Sequence, residues 1–428
     1  MNVFVTAVVV SHDADEFFAI TARSLAAQTR TPDRILVIDT SEKVDNLDVK
    51  GLSEKLGFEY LKLAPTTSLQ GSLEAAAEGM AGKNQWLWLL HDDSAPESNA
   101  LAEILAAIEA SPSVALAGPK LVRWQQPRII TQLGLTLTPY GAPFSPVDEQ
   151  FDQGQLDDLD DVMAVSTAAA LIRVDVFREL GGFDAAAPLL AADIDFAMRA
   201  RLAGHRVIVV PAARVEHAEL ALHGKRKRSW LGASPKTSIR RAAIHLILAY
   251  SPMVWALLYW LALPITGLLR AVLQVSRKRP ELIWAEVSSA LWGFFTIGRR
   301  LGSRANIAKH RRLSVRELKT LRASRAEVRA HARADKERAE AIDNLSAFDR
   351  GEGDVLTGKA SQGFAATGGL WWFLALVVAS YQWWPKDVAV TAKGIIPLSA
   401  SWWDVFVRAG ASYQPIGLGF YAPSDPFA

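Results

Sequence analysis

Apolar positions in the first 220 residues fall into short unbroken runs separated by longer amphipathic stretches. Val3 to Val10 ends on Ser11-His12-Asp13, and Arg34 to Ile38 ends on Asp39-Thr40-Ser41. Phe58 to Leu63, Trp86 to Leu90 and Val114 to Ala117 are similar. These segments read as strands, and the unbroken apolar run Trp86 to Leu90 predicts one covered on both faces, as in parallel sheets. Between them, Glu16 to Ala27, Leu69 to Met80 and Ala100 to Ala110 read as helices, the last with Asn99 as candidate cap. This β-α-β-α rhythm predicts an α/β fold with a Rossmann-like, mostly parallel sheet and flanking helices. Residues 140–162 are rich in Pro, Gly and Asp and predict a mobile acidic loop.

Beyond residue 235 the pattern changes. Ala242 to Leu269 runs for 28 residues without Asp, Glu, Lys or Arg, long enough to cross a bilayer, with Pro252 and Pro264 as kink points. Leu282 to Gly298 contains Glu286 and reads either as a second span or as an interfacial helix. Leu370 to Trp384 is bracketed by Trp371, Trp372, Trp383 and Trp384, like an interfacial belt, and reads as a span. Arg322, Arg325, Arg329 and Arg333 recur at helical spacing as a basic stripe, either a solvated face or an arm on anionic headgroups. Its charge places this arm on the cytoplasmic side, and an even number of spans must then separate it from the N-terminal domain. That argument favours a span at Leu282 to Gly298, although Arg277-Lys278-Arg279 would then lie outside. The expected organisation is an α/β domain over 1–235 and a membrane segment over 236–300 with one or two transmembrane helices. A basic helical arm over 301–368, a transmembrane helix over 369–385 and an extracytoplasmic, truncated tail over 386–428 follow.

Charge and composition sharpen this picture. The chain has no cysteine, which excludes disulfides and thiolate metal sites. Its net charge of +2 conceals 17 Lys/Arg against 31 Asp/Glu in residues 1–220, and 30 against 14 in the remainder. A basic half with long apolar, Trp-rich stretches points to membrane lipids rather than nucleic acid. The first residues enter a strand directly, with no visible signal peptide. The expectation is a multi-pass protein of the cytoplasmic membrane with its N-terminal domain in the cytoplasm.

Leu89-Leu90-His91-Asp92-Asp93-Ser94-Ala95-Pro96 places two adjacent carboxylates where a buried strand ends. Ligands of open α/β sheets sit beyond the carboxyl ends of the strands. Two acids there can hold a hard divalent cation, and the cation a diphosphate; an Asp-Ser-Pro turn capping a helix is the plainer reading. Further along stand Gly181-Gly182-Phe183-Asp184, Asp193-Ile194-Asp195-Phe196, Arg199, and Gly204 to Pro211 followed by Val215-Glu216-His217.

This series, with Asp39 and the His91-Asp92-Asp93 run, resembles the family 2 glycosyltransferases of the GT-A fold over about residues 3–250. The resemblance implies roles. Asp39 would contact the donor's base or ribose. Asp92 and Asp93 would bind the donor, with Asp93 the direct ligand of Mg²⁺ or Mn²⁺. His217 would lie near the diphosphate as a second metal ligand. Asp193 would be the general base, and Gly182 and Phe183 would build the turn under the acceptor, with Asp195 and Arg199 in support. The chemistry agrees: a cation neutralises charge on the departing diphosphate, and a carboxylate deprotonates the acceptor hydroxyl. A single displacement of this kind inverts the anomeric centre. Simpler roles stand beside these: Asp193 and Asp195 as helix N-terminal acids, Arg199 as the i+4 partner of Asp195, Asp39 as a turn residue and His217 as a packed histidine. His12 has no assigned role, and Lys225 to Arg228 either binds lipid phosphate or flanks the membrane.

Three positions depart from the family pattern: His91 where Asp is common, Ala192 where Glu often precedes the base, and Thr167 where Gly is common. No Gln-x-x-Arg-Trp motif of processive synthases is present. The expected function is inverting, metal-dependent sugar transfer from a nucleotide diphosphate sugar to a lipid-linked or cell-envelope glycan. The rival reading is a degenerate nucleotide-sugar-binding or scaffolding module. A nucleotidyltransferase fits less well, because Ser11-His12-Asp13-Ala14-Asp15 is acidic where a basic phosphate loop is needed.

Overall fold

Val5, Ala7 and Val9 of strand β1 (Phe4–Ser11) bury on one face of a sheet and Val8 on the other. That alternation explains the largely apolar run: both faces are covered, and even the one polar side chain between Phe4 and Val10, Thr6, is buried. The computed structural model describes residues 3–12, 15–43, 47–80, 82, 84–220, 234–277, 279–349, 413–414 and 420–421. The span expected at Leu370 to Trp384, the Lys225 to Arg228 cluster and nearly all of the tail lie outside them.

After β1 come helix α1 (Asp15–Ala26), β2 (Arg34–Asp39), α2 (Leu47–Lys55), β3 (Glu59–Lys62), α3 (Leu69–Ala77) and β4 (Gln85–His91). Then follow β5 (Ser94–Pro96), α4 (Ala100–Ala110), β6 (Val114–Arg123), β7 (Gln126–Gln132), β8 (Thr136–Leu137), β9 (Pro143–Phe144) and β10 (Gln150–Phe151). The domain continues with β11 (Leu171–Arg173), α5 (Val174–Glu179), α6 (Leu189–Leu202) and β12 (Arg206–His217). The main sheet runs β10-β7-β6-β11-β4-β1-β2-β3, with β12 pairing β5 and β6. β1 pairs β2 and β4 in parallel, and β2 pairs β3 in parallel, as the rhythm predicts. Past β4 the sheet is mixed, because β11 inserts antiparallel to both β4 and β6. Helices α1 and α4 cover one face through Phe18, Ala22, Leu25, Leu101 and Ile104. Helices α3, α5 and α6 cover the other through Leu73, Ala76, Phe177, Ile194 and Phe196.

The acidic segment 140–162 is held in place rather than free. Lys120, almost fully buried, holds Asp152 at 3.0 Å and Asp157 at 2.7 Å, and Arg214 reaches Asp152 at 2.9 Å. Its acids answer a buried lysine of β6 and a half-buried arginine of β12, a pairing that loop composition does not reveal.

Helix α7 (Pro235–Tyr250) takes the first part of the long apolar stretch into the protein: Ala242, Ile244, Leu246 and Leu248 are buried, and the helix packs on α6. Ser251-Pro252 ends it, since proline cannot continue the hydrogen-bond ladder. Helix α8 (Met253–Ser276) is the one helix among the described residues long and apolar enough to cross a membrane. Only 22% of its most apolar window is buried, and Trp255, Leu258, Ile265 and Leu269 are exposed. The expected span therefore starts 11 residues later than Ala242, at Met253. Helix α9 (Ile283–Phe295) has 13 residues, a rise of about 20 Å against a hydrocarbon core of about 30 Å. Its Glu286 is buried against Arg240 at 3.0 Å and Gln274 at 3.3 Å, so this acid belongs to a packed interface. Leu263, Gly267 and Ala271 of α8 bury toward it, and a methyl on Gly267 would meet Ala290 at 2.5 Å.

Helix α10 (Ile297–His310) follows, and Arg304 donates to the carbonyls of Leu248, Ala249 and Ser251 at 2.8–3.1 Å. Helix α11 (Arg325–Asp349) begins at a capping box, with Ser324 N–H donating to Glu327 at 2.6 Å and Glu327 N–H to Ser324 Oγ at 3.1 Å. Arg322 falls before that cap, so the expected basic stripe loses its first member to the preceding loop. The chain forms two units: Met1–Val275 with Arg279–Ala360, and Ser276–Lys278 with Ser361–Ala428. In the second, β13 (Tyr413–Gln414) pairs antiparallel with β14 (Phe420–Tyr421).

Candidate active site

The parallel register brings the ends of β1, β2 and β4 to one edge, with Ser11 opposite Asp39 and Val10 opposite His91. Asp39 is fully buried there. It accepts from Ser41 N–H at 2.8 Å, Tyr60 O–H at 2.8 Å and Lys62 Nζ at 3.1 Å. Burial alone would raise its pKa, but these hydrogen bonds outweigh burial and hold the carboxyl below the usual range. Asp92 accepts from His12 N–H at 2.7 Å, and the His12 ring lies 3.0 Å from the Thr40 carbonyl. These contacts tie the exits of three strands together.

Asp93 is buried one residue further. One carboxylate oxygen accepts from Leu220 N–H at 3.0 Å, and the other faces His217 Nε2 at 3.5 Å. The neighbourhood arises because β5 turns back against the end of β12, pairing Ser94 with His217. The His91 ring meets the His217 ring edge-on at 5.6 Å. Ligand atoms of His91, Asp93 and His217 all lie within 4.8 Å of one another. The buried Nδ1 of His217 has no hydrogen-bond partner. A buried carboxylate between two imidazoles, one with an unsatisfied nitrogen, fits a divalent cation. Two of the three departures from the family pattern also meet here, with Thr167 Oγ1 3.3 Å from His91 Nε2.

The second group of predicted residues sits on α6. The turn Ala203–His205 reverses the chain between α6 and β12, so the first turns of α6 lie toward the carboxyl edge of the sheet. Asp193 accepts from Ile194 N–H at 2.8 Å and has no cationic partner among the described residues. Burial pushes its pKa up to about 7. Asp195, two positions on, is enclosed by Arg199 at 2.9 Å, Tyr250 O–H at 2.7 Å and His245 at 3.7 Å. Burial opposes its ionisation, but Arg199, His245 and Tyr250 hold its carboxyl well below the usual range. Neighbouring carboxylates whose environments drive their pKa values apart are a mark of acid–base assignment.

A family model described as glycosyltransferase-like family 2 matches residues 2–241, more than half of the sequence. The chain belongs to this family. No curated protein sequence matches it. Among solved structures, it is similar to GalNAc-T7 crystallised with UDP, GalNAc and Mn²⁺, at 16% identity and a TM-score of 0.45. That match covers 70% of this chain and 57% of the other. It is also similar to TarS of S. aureus, at 13% identity and a TM-score of 0.36, covering 69% of this chain and 54% of that one. The chain thus spans less than two thirds of the length of either.

In this member of the family, Asp39, Asp92, Asp93 and His217 share one edge of the sheet. Asp195 and Arg199 form a buried pair that anchors α6, the plainer of the two readings for Arg199. Gly182 has φ +68°, and a methyl there would meet Phe177 at 3.2 Å. Phe183 stacks among Phe177 and Phe196 at 6.0 and 5.0 Å. Gly182→Ala is expected to cost about 1–3 kcal/mol from left-handed backbone strain, measured as a lowered midpoint in urea unfolding. Sequence reasoning missed Lys62 and Tyr60, whose strand pairs directly with β2, Asp39 standing opposite Lys62. It also missed His245 and Tyr250 on α7. Their signal was a histidine and a tyrosine inside a stretch read as membrane.

Proposed function

We propose that this chain transfers a sugar from a nucleotide diphosphate donor to a lipid-linked or cell-envelope glycan hydroxyl, inverting the anomeric carbon. We place the reaction at the cytoplasmic face of the membrane, with α8 as the anchor. The observation that carries the reading is the pair of carboxylates on α6, where Asp193 stays uncompensated beside a firmly ionised Asp195. Asp193 accepts the proton of the acceptor hydroxyl, and the oxygen so freed attacks the anomeric carbon opposite the leaving diphosphate. The Asp195–Arg199 pair fixes the helix that carries the base. Asp39, with Lys62 and Tyr60, offers a polarised carboxylate to the nucleoside. Asp93, His217 and His91 would hold a divalent cation, which when bound supplies positive charge to the leaving diphosphate.

The test is nucleoside diphosphate release by the purified full chain over a donor panel with Mn²⁺ or Mg²⁺. Release with one donor supports the reading; nucleotide binding without turnover over the panel would favour the scaffolding alternative. The mutual contact of His91 and Thr167 speaks for a replaced, working ligand set over decay. A set with two imidazoles also suits Mn²⁺ better than Mg²⁺, which prefers oxygen ligands. Mn²⁺ should therefore support transfer ~10-fold better than Mg²⁺. His91→Asp should narrow that ratio, checked by initial rates across metal titrations.

A further inference from the structure

A cavity of about 1340 Å³ lies between the 137–142 turn, α7, α8, α10 and the segment 311–322. Its lining holds six arginines and one lysine and no acidic side chain. Among the described residues, Arg240 is the one member paired with an acid, Glu286 at 3.0 Å. Arg270, Arg311, Arg316 and Lys319 have no ion-pair partner among the described residues. The buried hydroxyl of Tyr259 and the buried Nε of Arg322 have no hydrogen-bond partner. The rest of the wall is largely apolar, including Leu246, Ile247, Met253 and Leu301. Tyr250 lines the cavity and also donates to Asp195 on α6, so the wall is bonded to the helix that bears Asp193.

We propose that this cavity binds the acceptor as a lipid whose headgroup carries a diphosphate. The inference rests on the sugar-transfer reading and names its acceptor class. Six cations without an acidic partner among the described residues, two of them (Arg304 and Arg322) partly buried, favour an anionic headgroup, and a diphosphate answers more of that charge than a singly charged phosphodiester. The apolar walls and the exposed apolar surface of α8 receive the hydrocarbon chain at the same opening. The volume exceeds that of ordinary small-ligand pockets, about 300–1,000 Å³, as a headgroup with part of a chain requires. Burial, reinforced by the charge of Arg311, lowers the pKa of Arg304, and an anion in the cavity relieves that cost.

The test uses the full chain in detergent micelles and isothermal calorimetry with farnesyl diphosphate, farnesol, inorganic pyrophosphate and phosphatidylglycerol. Farnesyl diphosphate should bind ~10-fold or more tightly than each of the others. The triple change Arg311→Gln, Arg316→Gln, Lys319→Gln should weaken it by a similar factor; these side chains are exposed, so folding should survive. Equal binding of farnesol would leave only an apolar groove, equal binding of pyrophosphate an anion site, and equal binding of phosphatidylglycerol a bulk-lipid contact. Any of these, or an unaffected triple variant, overturns the proposal. Nucleoside diphosphate binding with Mn²⁺ is measured on the same sample. If it persists while farnesyl diphosphate fails, the cavity inference alone is lost; if it fails while farnesyl diphosphate binds, the transfer reading is lost.

Discussion

Asp193→Asn is expected to lower kcat by ~10²–10⁴-fold while leaving donor affinity within about twofold, the signature of a lost general base. Asparagine keeps the shape and the acceptor oxygen that receives the Ile194 N–H, so α6 should keep its geometry. What disappears is the basic site. For the parent, burial without a cationic partner sets the pKa at about 7. Transfer should then rise about tenfold per pH unit below pH 7 and level off above it, as the carboxylate form fills. The variant's residual rate should lack this slope. An unchanged kcat in the variant would remove Asp193 from the mechanism.

The same pKa has a consequence for stability, with the opposite sign to most carboxylates. In the unfolded chain an Asp titrates near pH 3.9, whereas the folded protein retains this proton up to about pH 7. Between those values the native state binds more protons than the unfolded state, so stability falls as pH rises. Asp193→Asn removes the term. The Tm advantage of the variant should therefore grow from pH 5 to pH 8 in paired thermal scans, even as activity is lost. Under the proposed mechanism this group costs stability, the usual pattern of active sites.

The sheet was legible where local pattern and burial agree. Trp86, Trp88 and Leu90 fill one face and Leu87 and Leu89 the other, so an apolar run could mean only a doubly covered strand or a buried helix, and its length decided. The acids at the strand ends were legible because parallel strands deliver their carboxyl ends to a single edge. β11 was not legible: three residues, Leu171–Arg173, carry too little pattern, and their direction depends on pairing with β4 and β6. Where the apolar stretch divides between a packed helix and an exposed one was not legible for a related reason. A helix buried against protein and a helix in lipid are both apolar, and α7 differs from α8 only in what covers it. His245 and Tyr250 were the marks that α7 faces a polar group, Asp195, across a protein interface. Partners such as Lys62 for Asp39 and Lys120 for Asp152 are long-range pairings, which spacing along the chain does not specify.

The largest effect is expected at the other carboxylate. Asp93→Asn should abolish detectable transfer and weaken Mn²⁺ affinity by ~10²-fold or more, because a ligating oxygen loses its negative charge. Asparagine is the informative replacement. It retains an oxygen to accept from Leu220 N–H, now at 3.0 Å, which holds the chain leaving β12. The Asp93 carbonyl still accepts from Ala218 N–H at 3.0 Å. Asp93→Ala would instead break the side-chain tie and confound ligand loss with local unfolding. His217→Ala should cost less, ~10-fold in metal affinity, since a neutral donor leaves while the charge remains. If both residues serve one ion, the double variant should lose little more than Asp93→Asn alone, because residues that act as a unit are not additive. Mn²⁺ titrations followed by electron paramagnetic resonance read each affinity directly. Additive losses would mean that Asp93 and His217 act at separate places, and an unchanged affinity in Asp93→Asn would move the cation away from the β4–β12 junction altogether.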